Sequence, residues 1–551
     1  MDSRLRLVTH RKVVMTVLAV EELPAAPAGA ARAAHRRWGR TCGPSVSGTV
    51  REGASMDAAD GTAVRGRETD EQTDVRELAA PPADDGISGL FGRGLLYVAV
   101  SSLQLLGAVV VSPVLAHMLA PAEFGQLSSA IALHQALVVL AVMGLDQAIV
   151  IMRAEAGNDR PTYTVLAVGL AVASLVTAAA TVTAPMWAVQ LGFAGANSIV
   201  LTTLAWTPPA AGLMLVLTLL LGQDRLKAYA WVSAVAGVGG QAAGMAILLI
   251  TGARTAHVYA LGTLASLGLT LIVGLVLTRP RWRGLKDVEV ARRALSLGVP
   301  LMVGGLALYV LNVGDRLVIQ RLLGATEAGR YQIAYLVGNV AVLLIGIISW
   351  AWGPQITAVR DDAKRWILLA SARDGLLRLT TPMLVGVTLG APVLLRIAAP
   401  PSFAPGELLL VVFLVATASF PVAVGSASGR ALVTLGRGKA LAVVAVIAAL
   451  LNLGLNIVLV PIWGLVGAAV ATTVSFTAQA CLHRLALPRQ IAWPSIGAPV
   501  RWAAVAAVVV SALSLQLPQT TGWNAVRFLL ALACLPWLLH QLRAIRAGSS
   551  R

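Results

Sequence analysis

From about residue 90 onward the chain alternates apolar stretches of about 17 to 30 residues with short polar breaks. A helix needs about 20 apolar residues to cross the hydrocarbon of a bilayer. Fourteen stretches fit that length: 94–119, 127–152, 162–185, 197–222, 229–250, 256–277, 294–323, 329–352, 376–398, 406–429, 439–460, 464–484, 500–517 and 524–542. Breaks after even-numbered stretches are basic, as in Arg153 and Arg160, Arg225 and Lys227, and the run Arg279, Arg281, Arg283, Lys286, Arg292 and Arg293. Breaks after odd-numbered stretches are short and nearly uncharged. Basic loops remain on the cytoplasmic side of a membrane, which predicts a cytoplasmic location for both termini. An even number of crossings requires the same. Prolines inside the stretches (Pro113, Pro208, Pro209, Pro300, Pro382, Pro421) predict bent helices.

Composition agrees with the pattern. Of 551 residues, 57% are apolar and 13% are charged, with a mean hydropathy of +0.77. Soluble domains carry about 25% charged residues. The formal charge of +17 at first admits a nucleic-acid partner. Its distribution removes that reading. Residues 1–88 hold 12 basic and 13 acidic side chains, so the excess belongs to the spanning body. There it is a topology signal. Residues 1–88 have no spanning run and read as a disordered cytoplasmic tail. Within the tail the charge is +5 up to Ser55 and −6 from Met56 to Ser88, which raises Met56 as an alternative start. Cys42, Cys481 and Cys534 are far apart and form no metal or redox spacing. No metal or cofactor is expected.

The chain also repeats itself. His117–Ala132 and Arg321–Tyr335 align at an offset of 204 residues, with Leu119 on Leu323, Glu123 on Glu327, Gly125 on Gly329 and Ala130 on Ala334. Each copy is a long helix, a turn bearing Glu and Gly, and a second helix. Six stretches separate the copies, so both run the same way across the bilayer. This predicts two parallel six-helix lobes about a central cavity, a transporter arrangement. The expected fold is an all-α polytopic membrane protein: tail 1–88, N-lobe 89–290, C-lobe 291–490, and a terminal helix pair in 491–551.

Three blocks carry a family resemblance. LAPAEFGQLSSA (Leu119–Ala130), followed by GLDQAIV (Gly144–Val150), resembles the opening of polysaccharide or O-antigen flippases. GDRLVIQRLLGATEAGRYQIAY (Gly314–Tyr335) and LLNLGLNIVLVPIWGLVGAAVAT (Leu450–Thr472) are similar to later signatures of the same family. That family is the polysaccharide branch of the multidrug/oligosaccharidyl-lipid/polysaccharide exporter superfamily. The resemblance implies transfer of a polyprenyl-diphosphate-linked oligosaccharide from the inner to the outer leaflet of the cytoplasmic membrane by alternating access. Many members have twelve helices, so the terminal pair departs from the pattern. Membrane lipids, and the glycosyltransferases and polymerase of a polysaccharide assembly system, are the partners it implies.

Ionisable groups inside a membrane are costly and therefore functional candidates. On the seventh stretch Tyr309, Asn312, Arg316 and Gln320 fall at helical spacing, with Asp315 beside them and Arg321 toward the outer end. Arg316 either grips diphosphate or an acidic sugar, or sits in a structural ion pair with an acid such as Asp315. Gln332, Tyr335 and Asn339 share a face of the eighth stretch as sugar-binding or helix-bonding groups. On the second stretch Gln135 and Asp146 lie about 20° apart on a helical wheel. Asp146 is either a protonatable coupling group or an interfacial acid. Asn452 and Asn456 read as helix glue, and His117 and His134 as packing groups. No nucleophile elbow, metal cluster or nucleotide-binding motif occurs, so a transporter is expected rather than an enzyme. A lipid II-type flippase and a multidrug or metabolite cation antiporter of the same superfamily are the alternatives. The basic lean of the intramembrane groups disfavours the antiporter.

Overall fold

A computed structural model describes residues 107–549, apart from 108, 360 and 492. The tail 1–88, with Met56 and Cys42, and the start of the first stretch lie outside the described residues. Among the described residues every regular element is helical. In chain order the α-helices are α1 (Val109–Met118), α2 (Pro121–Val142), α3 (Leu145–Ala156), α4 (Arg160–Trp187), α5 (Ser198–Gly222), α6 (Leu226–Ala234), α7 (Gly240–Thr251), α8 (Ala256–Thr278) and α9 (Val288–Leu323). They continue as α10 (Ala325–Gly338), α11 (Val340–Ala358), α12 (Asp362–Ala398), α13 (Leu409–Thr417), α14 (Ser419–Thr434), α15 (Gly438–Ala486), α16 (Ala498–Ser514) and α17 (Thr521–Ser549).

Ten of the described helical segments are long and apolar enough to cross a membrane, and α10 with α11 form an eleventh, bent by 53°. Fourteen is reached only by dividing α15 and adding the shorter α1 and α16. Each departure from the sequence pattern has a local cause. The eighth stretch bends at Asn339, between α10 and α11. The second stretch breaks between α2 and α3, where Met143 and Gly144 take φ of 49° and 70°. A side chain added to Gly144 would meet the Gly298 carbonyl oxygen at 2.2 Å, so α9 crosses against this break. The long α9 starts before its apolar stretch because the Asp287 side chain accepts the Val290 amide and caps the extra turn. Asp361 does the same for α12 through Lys364.

Helix α15 is two helices that meet at Gly464, whose φ of 57° and ψ of −137° are not helical. A side chain on Gly467 would meet the Leu459 carbonyl oxygen at 2.2 Å. The Pro461, Gly464 and Gly467 spacing is thus the chemistry of a tight elbow, one residue permitting the turn and one permitting its close packing.

Large apolar side chains such as Leu175, Val182, Ile250 and Val276 point outward, at 65–83% exposure. A water-soluble protein avoids such a surface, while lipid favours it. Helix α2 packs against α5, α9 and α10, α9 packs on α15, and α16 and α17 pack along α12. Asn456 donates its amide to the Asn452 carbonyl and side-chain oxygens at 2.8 and 3.1 Å, so this pair bonds within its own helix. His134 stacks on Trp206 with centroids 4.4 Å apart, and the His117 ring bonds the Pro113 carbonyl.

Candidate functional site

The turns between α1 and α2 and between α9 and α10 set the site. Ala120 is extended and Pro121 opens α2, where its fixed φ suits the first helical turn. At the equivalent place Gly324 has φ of 94°, a region that favours glycine, and α10 begins at Ala325. The two turns deliver α2 and α10 to a backbone crossing. A side chain on Gly125 would lie 1.7 Å from the Ala325 carbonyl oxygen. One on Gly329 would lie 2.3 Å from the Pro121 carbonyl oxygen. Gly125 and Gly329 are repeat equivalents, as are Pro121 and Ala325, so each copy's glycine meets the other copy's first helical turn. One turn further on, Ser128 donates to Gln332 Oε1 at 3.4 Å, across the same 204-residue offset. The repeat therefore has a spatial meaning, a local two-fold relation running between these pairs.

The glutamates of the two turns have structural duties. Glu123 accepts the Ala256 amide at the start of α8 at 2.7 Å. Glu327 pairs with Arg330 at 2.8 Å, and Arg330 also holds the Phe403 carbonyl and Glu407.

Next to the crossing lies a cavity of about 100 Å³. Leu115, Phe124, Leu127 and Ile131 form its apolar wall, and Arg316 with Gln332 the polar one. Ala132, Ser112 and Ser128 complete it, and the two serines are the repeat equivalents of Arg316 and Gln332. The cavity thus straddles the two-fold relation while its charge comes from the second copy alone. The first copy has Val111, Leu127 and Ile131 where the second has Asp315, Tyr331 and Tyr335.

Arg316 is 5% exposed and Asp315 is 1% exposed. Arg316 Nη1 pairs with Asp315 Oδ1 at 2.8 Å and donates to the Asn312 carbonyl at 2.9 Å. Its Nε donates to Gln332 Oε1 at 2.9 Å, and its guanidinium carbon stands 4.2 Å above the Tyr335 ring. Asp315 also accepts the Tyr331 hydroxyl at 2.7 Å and the Arg316 amide at 2.9 Å. Neighbours i and i+1 on a helix do not face each other, so this pair closes only because the arginine folds back. Two charges taken out of water destabilise a fold unless paired and hydrogen-bonded. Here both conditions are met and the cluster is neutral.

The structure gathers some of the expected residues and separates others. Arg316, Asp315 and Gln332 form the cluster, with Asn312 contributing its backbone while its exposed side chain bonds the Leu308 carbonyl. Gln320 is 2% exposed and its side-chain amide has no hydrogen-bond partner among the described residues. Arg321 is exposed at the end of α9, and Asn339 sits at the bend after α10. Gln135 is half-buried on α2. Asp146 is buried on α3 and accepts the Gln147 amide at 2.8 Å. The wheel angle between Gln135 and Asp146 does not carry through, because the break at Met143 and Gly144 lies between them. Tyr331 and Ser128 were not legible from helical spacing. Ser128 is reachable by applying the repeat offset to Gln332; Tyr331 has no comparable signal.

Residues 92–359 match a family model described as polysaccharide biosynthesis protein. The resemblance read from the motifs is thereby shown. The chain is 22% identical over 288 residues to the probable low-salt glycan biosynthesis flippase Agl15 of Haloferax volcanii. That alignment takes in 51% of this chain and 60% of the relative, so the chain spans about three fifths of its length. Among solved structures, the lipid II flippase MurJ in an inward closed conformation superposes with a TM-score of 0.62 at 13% identity, over 83% of this chain and 100% of that one. An inward-facing multidrug resistance MATE family transporter of the MOP superfamily gives 0.55 at 13%, over 76% and 99%. Superpositions of this extent establish a shared fold: this is a polytopic helical membrane protein with the architecture of those transporters.

Proposed function

We propose that the protein is a flippase moving a polyprenyl-diphosphate-linked oligosaccharide from the inner to the outer leaflet of the cytoplasmic membrane by alternating access. The observation that carries this reading is the cavity on the repeat's two-fold relation, with one cationic wall and one apolar wall. A diphosphate joined to a prenyl chain has matching halves. The guanidinium offers charge-assisted hydrogen bonds to phosphate, and Leu115, Phe124, Leu127 and Ile131 offer apolar surface to the chain next to it. In the empty carrier Asp315 supplies the negative charge that Arg316 needs. An arriving phosphate competes for the same guanidinium, and on its departure Asp315 takes it back. The site can then reset without an unpaired buried cation.

The basic loops support a cytoplasmic location for both termini. On that orientation the crossing of α2 and α10 lies on the outer side, beyond the cavity. The tail 1–88, the lobes 89–290 and 291–490, and the pair within 491–551 are the proposed divisions, with glycosyltransferases and a polymerase as partners. Arg316, Asp315, Gln332, Asn312, Gln320, Arg321, Asn339 and Gln135 are the candidate substrate-contacting residues, and Asp146 the candidate coupling residue. A lipid II-type flippase is the second reading, supported by the architecture shared with MurJ.

Replacing Arg316 by alanine tests the assignment. Surface-polysaccharide export should fall to background while the protein is still inserted in the membrane, with a lowered thermal midpoint because Asp315 loses its partner. Full export by a well-inserted Arg316→Ala protein would remove Arg316 from the site.

A further inference from the structure

Between α8 and α9 the chain makes a short 3-10 helix, Trp282–Lys286. Successive side chains three apart eclipse in such a helix, so Trp282 and Leu285 share one face, and Val288 continues it at the start of α9. All three are exposed, at 54%, 43% and 72%. Arg279, Arg281, Arg283 and Lys286 surround them and are exposed as well. No hydrogen bond or ion pair is made by these four side chains among the described residues. The acids that follow in sequence are Asp287, which caps α9, and the exposed Glu289.

The segment is held in place. Arg279 adopts φ of 47°, a conformation that side chains resist, and turns the chain out of α8. The Arg281 amide donates to the Tyr163 carbonyl at 3.2 Å. A side chain on Gly284 would meet Thr164 Oγ1 at 2.4 Å, so the turn is pressed onto the first residues of α4. Its rear is thereby occupied, and a tryptophan, a leucine and four cations face outward.

We propose that residues 279–288 form a binding site for anionic phospholipid headgroups of the bilayer surface. The indole and the leucine enter the interface, where tryptophan is favoured. The cations meet phosphate at that depth and draw on the negative surface potential. Charge selects the occupant: a zwitterionic lipid offers the same apolar boundary without net attraction. The inference uses the orientation proposed above to put this loop at the inner leaflet, but the following readout does not depend on orientation.

The purified full chain is mixed in detergent with phosphatidylglycerol or phosphatidylcholine, and retained lipids are counted by native mass spectrometry. The wild type should keep phosphatidylglycerol in preference. The triple variant Arg281→Gln, Arg283→Gln, Lys286→Gln should lose that preference by about a hundredfold, since each cation near an anionic surface contributes roughly a fivefold attraction. These side chains are exposed, so its thermal midpoint should stay unchanged. Trp282→Ala should weaken retention of both lipids and reduce the preference less. A wild type indifferent to headgroup charge, or a triple variant that keeps the preference, overturns the proposal. If the triple variant instead loses farnesyl diphosphate while keeping phosphatidylglycerol, the surface serves the transported head group and the proposal also fails.

Discussion

A valine in place of Gly125 is expected to abolish transport while leaving the protein in the membrane. Its first added carbon would lie 1.7 Å from the Ala325 carbonyl oxygen, and that oxygen belongs to backbone. No rotamer change relieves such an overlap, so α2 and α10 must separate. Inserting bulk into a well-packed contact costs about 1–3 kcal/mol, and a backbone-to-backbone contact belongs at the upper end. The clash exists only while the crossing is closed, so the variant should populate conformations in which it is open. Ser128 stands one turn inside the crossing and bonds Gln332 across it. In a background without Cys42, Cys481 and Cys534, a Ser128→Cys reporter should resist an impermeant thiol reagent added from outside. With Gly125→Val it should react. Gly329→Val, 2.3 Å from the Pro121 carbonyl oxygen, should behave in the same way. If one glycine tolerates valine and the other does not, the two-fold relation is not a working one.

The second large effect is expected at Asp315. Asparagine there keeps an oxygen for the Tyr331 hydroxyl but leaves Arg316 without a counter-charge at 5% exposure. Breaking a buried pair by removing one partner costs about 3–5 kcal/mol. Thermal unfolding of the purified Asp315→Asn protein should therefore begin well below that of wild type. Farnesyl diphosphate should restore much of the loss, because its phosphates now meet no competing carboxylate. Its affinity should rise by about tenfold or more, the equivalent of about 1.4 kcal/mol of relieved competition, while turnover slows. A purely structural Asp315 would lower stability and leave affinity and ligand rescue as they are in wild type.

Much of this architecture is legible in the sequence because membranes impose two simple demands. Spans must be long and apolar, and inner loops must be basic. Stretches such as 162–185 and 256–277 match α4 and α8 to within a few residues at each end for that reason. Helix starts such as Asp287 and Asp361 are less visible, since capped polar turns extend helices beyond the apolar run. The repeat is visible through Glu123, Gly125, Glu327 and Gly329, yet its physical content is not. The glycines look like turn residues in the sequence and prove to be a contact between helices. At the site, helical spacing finds Arg316 and Asp315 but groups them with Tyr309 and Asn312, whose side chains are exposed. Tyr331 lies sixteen residues from Asp315 and meets it only because the chain reverses at Gly324. Contacts between helices are set by crossing points, and no local periodicity encodes those.

The charge of the site resides in one copy of the repeat, while the crossing beside it is shared by both. On the proposed two-lobe division, two seams would run between the halves, and on a symmetric molecule a lipid sliding in sideways would use either. Under the proposed function, a head group in this cavity would be drawn to the side that carries Arg316 and Gln332, on α9 and α10, and its chain would be left against the apolar side of α1 and α2. Entry through one seam brings the phosphate to the guanidinium first, and entry through the other brings it to leucine and phenylalanine. On that reading the seams would be kinetically unequal, and a cross-link that closes one of them should slow lipid entry far more than a cross-link across the other.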